Sequence, residues 1–214
     1  GWRRRPGKCV WRRASGPVEL VWCSTPETTT CGSLWFLWSK ELLAAAPVQG
    51  AVGLILLGQG SHGEEVKVLQ KAGLPLVVWG APEAGSSYIV VGSDNRKGGV
   101  SVAERFIEQG RKRLIFLGDT DHAEVQERCA GFIDAMGDQG SVRVVRPKAF
   151  TFESGFDSLS EVLKEGGAGY DGVFAASDLL AMGAIRALTV TSLRVPDDVA
   201  VIVFDDPPGP ASFL

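Results

Sequence analysis

From Ala51 onward, short continuous apolar runs alternate with longer stretches whose apolar residues recur every three or four positions. Ala51–Leu57, Pro75–Trp79, Tyr88–Val91, Leu114–Leu117, Val142–Val145, Gly172–Ala175 and Val199–Phe204 read as strands. Ala51–Leu57, a continuous apolar run, and Pro75–Trp79 have the pattern of strands buried on both faces. Between them, Glu64–Ala72, Gly99–Gln109, Val125–Met136, Ser154–Leu163 and Asp178–Leu188 carry the helical spacing. In Gly99–Gln109 the apolar positions are Val102, Ala103, Phe106 and Ile107; in Val125–Met136 they include Ala130, Ile133 and Met136. Strands alternating with helices of this length predict βαβ units, right-handed crossovers and a doubly wound parallel α/β sheet.

Residues 1–40 break this rhythm. The first 38 residues hold five of the six tryptophans and three of the four cysteines, and no clear period runs through them. They form a divergent N-terminal segment that the pattern assigns to no element.

Composition narrows the class. With 214 residues, 45% hydrophobic and 22% charged, the chain reads as a soluble globular protein. The longest mainly apolar run, Ala51–Leu57, falls far short of the ~20 residues of a spanning helix. No apolar segment follows the N-terminal arginines, so no secretory signal is readable. Net charge is −3, unevenly spread: residues 1–40 carry seven Lys/Arg and two Asp/Glu, the remainder fifteen and twenty-three. The acidic body argues against gripping phosphate backbones. The arm with Arg3, Arg4, Arg5, Arg12 and Arg13 reads as a solvated tail, with contact to nucleic acid as the alternative. Cys9, Cys23, Cys31 and Cys129 form no CxxC pair, and His62 and His122 are the only histidines, so no structural zinc site is readable. Reduced cytosolic thiols are expected, a Cys23–Cys31 disulfide being the alternative.

In doubly wound sheets ligands sit beyond the carboxyl ends of the strands. There the chain places Asp94-Asn95, Gly118-Asp119 with Arg128 on the helix behind, Phe150-Thr151-Phe152, Ser177-Asp178 and Asp205-Asp206. Carboxylates that accept hydroxyl protons, a guanidinium that donates, and a flat apolar ring suit a polyhydroxylated ligand. Each residue also has a plainer role. Ser177 or Asp178 caps a helix, Asp94-Asn95 makes a turn, Asp205 caps a loop, Phe150 or Phe152 joins the core, and Arg128 pairs with Glu124. A rival motif, Gly58-x-Gly60-x-x-Gly63 with Glu83 beyond it, has the form of a dinucleotide fingerprint. Glu64 and Glu65 would oppose a pyrophosphate there, and Ser61 with Glu64 reads better as a capping box. No G-x-S-x-G, H-E-x-x-H or Walker loop supports catalysis, and no cofactor is expected.

The segments Val91–Gly99, with Asp94-Asn95 and Gly98-Gly99, and Arg128-Cys129-Ala130-Gly131-Phe132 resemble V-x-x-D-N-x-x-G-G and R-x-x-G-F of LacI/GalR-type bacterial repressors. Phe150–Gly155 is similar to their F-x-x-x-S-G, and Phe174–Ala184 to F-x-x-S/N-D-x-x-A-x-G-A. Arg194–Asp206 is similar to V-P-x-D-V-x-V-x-G-F-D-D, with Val203 in place of the glycine. Arg111 stands where a histidine commonly follows Gly110. The motifs run in family order over residues 48–206.

The resemblance implies a two-lobed effector-binding domain of the periplasmic-binding-protein type I fold. Residues 41–109 would form the N-terminal lobe, 110–206 the C-terminal lobe, and 207–214 the start of a truncated return segment. A sugar, polyol or nucleoside effector is implied, held between the lobes by Asp94, Arg128, Phe150, Ser177, Asp178 and Asp205. So are a cytoplasmic homodimer without membrane attachment, and DNA contact only through a helix-turn-helix domain absent from this chain. Two alternatives stand: a periplasmic solute receptor of a sugar transport system, and an NAD-dependent oxidoreductase using Gly58–Gly63.

Overall fold

The computed structural model describes the backbone of residues 2–4, 10–13, 19–24 and 51–57. It describes residues 67, 70–71, 73, 75–81, 88–166 and 169–204 more fully. The chain divides into two compact units, Gly1–Ser93 and Asp94–Leu214.

The first unit carries a six-stranded sheet in the order β1 (Trp2–Arg4), β2 (Val10–Arg13), β3 (Glu19–Ser24), β4 (Ala51–Leu57), β5 (Leu76–Trp79), β6 (Ile89–Val91). Strands β3 to β6 pair in parallel, as the apolar runs predict for β4, β5 and β6. The antiparallel ribbon β1–β2–β3 was not predicted. Strands β1 and β2, three and four residues long and rich in Trp and Arg, give too few alternations for a period to register. Of the predicted helix 64–72, Lys67, Gln70 and Lys71 are described, and they are helical.

The second unit is built on a four-stranded, wholly parallel sheet in the order β10–β9–β7–β8. Its elements are α1 (Asn95–Glu108), β7 (Arg113–Leu117), α2 (Ala123–Met136), β8 (Ser141–Val145), α3 (Phe152–Lys164), β9 (Gly172–Ala175), α4 (Asp178–Val190) and β10 (Ala200–Val203). A short 3₁₀ turn, Gly137–Gln139, follows α2. The passage from one sheet to the other falls between β6 and β7, and α1 packs against α2 within the second unit.

Side-chain alternation along the central strands divides the core into two layers. Leu114 and Phe116 of β7 and Phe174 of β9 face Phe106 of α1 and Phe132 and Met136 of α2. Ile115, Leu117, Val173 and Ala175 face Leu159 and Val162 of α3 and Leu180, Ala184 and Leu188 of α4. The rings of Phe106 and Phe132 lie 6.0 Å apart edge to face, and Phe174 touches Phe116 and Phe132 at 5.2 Å each. Asp94 opens α1 by accepting a hydrogen bond from the Lys97 amide at 3.0 Å. Gly110, at φ 69°, ends it, and the Arg111 amide folds back to the Phe106 carbonyl. Thr151 caps α3 through the Ser154 amide.

The strand order sets the switch point of the second sheet. From β7 the chain passes to β8 on one side, then returns to place β9 on the other. The loops after β7 and β9 therefore leave the sheet in opposite directions, the kind of switch point at which open α/β sheets hold ligands.

Candidate functional site

Arg128 stands at this switch point. It projects from α2, and its Nε donates to Asn95 Oδ1 at 2.8 Å. Its Nη1 donates to the Ala176 carbonyl, just past β9, at 2.8 Å. The guanidinium carbon lies 3.6 Å from the ring centroid of Phe204, just past β10. Two hydrogen bonds and a cation–π stack thus converge on one cation from three different elements. Asn95, a buried polar residue at 5% exposure, meets the rule that buried polar groups carry partners.

Ser177 is the residue after Ala176. It occupies the N-cap position of α4, yet its side chain makes no cap hydrogen bond. Its Oγ is buried and finds no partner among the described residues. Asp178 follows as the first, half-buried residue of α4, where a carboxylate is favoured by the helix dipole.

Phe150 packs against both core layers and meets the ring of His122 edge to face at 5.1 Å. His122 Nε2 lies 3.5 Å from Asp119 Oδ2. The loop after β7 is tied to the end of β8: Arg146 donates to Thr120 Oγ1 at 2.6 Å and to Asp121 Oδ1 at 2.6 Å.

Of the expected site residues, Arg128 is hydrogen-bonded to the carbonyl of Ala176, which Ser177 and Asp178 follow in the chain. Phe150 stands with His122. Asp94 is exposed and caps α1. Asp205 lies outside the described residues, as do Gly58–Gly63 and Glu83 of the dinucleotide-like motif. In the sequence, Asn95 and the Phe before Asp205 stand out only as parts of motifs. The structure gives both a task, holding Arg128. Among the described residues no group of three or more His, Cys, Asp and Glu is placed to hold a metal ion. Nor is any described helix long and apolar enough to cross a membrane. Burial pushes the Cys129 thiol up from its ordinary value, so it stays protonated at neutral pH.

Residues 103–213 match a family described as a periplasmic binding protein-like domain. The HTH-type transcriptional regulator CelR of Thermobifida fusca is 35% identical over 162 residues, 72% of this chain and 47% of that protein. The HTH-type transcriptional regulator GntR of Pseudomonas aeruginosa is 27% identical over 161 residues, 73% of this chain and 47% of its own. The chain thus spans about half the length of these curated relatives. Among solved structures, a CelR–cellobiose complex superposes with a TM-score of 0.65 at 32% identity, over 76% of this chain and 51% of that one. A LacI-type regulator of Bacillus cereus subsp. cytotoxis gives 0.71 at 24% identity, over 78% and 60%, a likeness of fold.

Proposed function

We propose that this chain, which belongs to the periplasmic binding protein-like family and carries the effector-binding domain of LacI/GalR-type transcriptional regulators, binds a small sugar at the strand ends of its second unit and relays that binding to a DNA-binding domain. The observation that carries this reading is Arg128, fixed by Asn95, the Phe204 ring and the carbonyl of Ala176, the residue before Ser177 with its buried, unbonded hydroxyl. A bound sugar hydroxyl would give Ser177 the partner that the fold withholds. Arg128 donates to an adjacent oxygen, and Phe150 offers a ring face. Asp94, Asp178 and Asp205 accept hydroxyl protons. One of these carboxylates, Asp94, already accepts the Lys97 amide, and a carboxylate has further lone pairs to offer. The sugar class is supported by the relative whose structure is a cellobiose complex.

The mechanism is a population shift. A ligand that prefers one arrangement of the domain moves the balance by its differential affinity and no more. The output is relayed through a homodimer to DNA in the cytoplasm, and the role is binding rather than catalysis. Calorimetric titration with a panel of mono- and disaccharides, polyols and nucleosides tests this. Saturable heat from a disaccharide supports it. Binding by nucleosides alone refutes the sugar class. Asp205→Asn should weaken the sugar roughly 10- to 150-fold, the loss of one charge-assisted hydrogen bond, with an unchanged melting temperature.

A further inference from the structure

We infer that the first turn of α1 is a seat that aims Arg128, with Asn95 and Gly98 as its positioning residues; this rests on reading Arg128 as an effector contact. A planar guanidinium is oriented when two of its nitrogens and one face are held. Asn95 holds Nε, the Ala176 carbonyl holds Nη1, and Phe204 covers a face. Two of these three supports depend on the same helical turn. Asn95 supplies the oxygen directly. Gly98 supplies the place for the ring, because a Cβ at Gly98 would run into Cε2 of Phe204. The ring therefore rests on bare α1 backbone, with the guanidinium on it.

Gly99 completes the seat from below. A Cβ there would strike the carbonyl oxygen of Arg128 itself, so α1 and α2 touch backbone to backbone at the residue that carries the cation. Gly131, one turn on along α2, meets the Arg96 carbonyl of α1 in the same way. Asp94 starts the helix one residue before Asn95, which makes Asn95 the first helical residue. The run Asp94-Asn95-x-x-Gly98-Gly99 thus has one physical purpose, with each named position acting on the Arg128–Phe204 pair. Asparagine suits the first position, because a neutral acceptor fixes the guanidinium without cancelling its charge.

Nitrogen-15 NMR of the whole chain reads the Arg128 Nε–Hε signal, assigned by its loss in Arg128→Lys. The signal should be protected from solvent exchange and shifted upfield by the Phe204 ring. Asn95→Leu, similar in size but without an acceptor, should abolish the protection. Asn95→Asp should retain it, a rescue that a role in bulk packing would not produce. Gly98→Ala should displace the ring and remove the upfield shift. In calorimetric titration with cellobiose, Asn95→Leu should bind about tenfold more weakly, the worth of one hydrogen bond to a charged group. A signal unchanged in both Asn95→Leu and Gly98→Ala overturns the seat. If the unsubstituted chain takes up no cellobiose, that sugar is excluded as the effector, and the spectra alone decide whether the seat exists.

Discussion

Ser177 shows how far one residue can be read from sequence. A serine before Asp-Leu-Leu at a strand end fits a helix cap and a ligand contact equally well. In the structure the residue holds the cap position without making the cap bond, which supports the proposed ligand contact. A buried hydroxyl without a partner costs roughly 1–3 kcal/mol, so Ser177→Ala should leave the melting temperature unchanged or raise it. The same substitution should weaken the effector. Thermal unfolding and calorimetry on one preparation check both, and a lowered melting temperature would show that the hydroxyl is bonded in the fold. Next to Arg128, Cys129 makes the opposite case: no motif flags its chemistry, and its inertness follows from burial. Native chain should alkylate slowly at this thiol at neutral pH, and denaturant should remove the protection.

Among the elements, those with long apolar runs were legible. Ala51–Leu57 and Gly172–Ala175 match their predicted bounds, and each strand and helix from β7 to β10 lies within two residues of its expected range. Helix α1 begins at Asn95 rather than Gly99, because Asn95, Arg96 and Lys97 put polar side chains where periodicity needs apolar ones. Asp94, expected as an effector contact with a turn as its plainer role, caps the helix, a position that resembles a turn locally. The layer between the α1–α2 pair and the sheet converges on Phe132, whose ring meets those of Phe106, Phe116 and Phe174. Phe132→Ala should therefore cost about 3–5 kcal/mol in urea unfolding. The connection from α4 to β10 is held differently. Arg111 donates to the carbonyls of Pro196 at 2.7 Å and Asp198 at 3.2 Å, a reach that suits a guanidinium fork. Asp198 accepts from the Arg194 amide, Nε and Nη2. Those bonds lower its carboxyl from the ordinary 3.8 to about 2. A carboxyl lowered on folding adds stability above its unfolded value and loses it as pH falls through its folded value. The stability gap between the unsubstituted chain and Asp198→Asn should be full above about pH 5, shrink as pH falls through about 4 to 2, and close below about pH 2, as thermal melts across that range would show.

At the scale of the whole molecule, the two charge regions pull in opposite directions. Residues 1–40 have seven Lys/Arg against two Asp/Glu, and the rest fifteen against twenty-three. Cations that meet phosphates release condensed counterions, so the salt dependence of binding counts the contacts made. If all seven basic residues engaged, the slope of log K against log salt would be about −6. The acidic remainder repels the same backbone and makes that slope an upper bound. Strength of this kind carries no sequence information, which comes from groups that reach base edges. The 214-residue chain should therefore retard any duplex equally at low salt and none at physiological salt. Gel-shift titrations with an operator-like palindrome and a scrambled duplex of the same length, each at several salt concentrations, check this. Equal slopes no steeper than about −6 for both duplexes are expected. A palindrome-specific complex that survives physiological salt would mean that residues 1–40 read bases as well as phosphates.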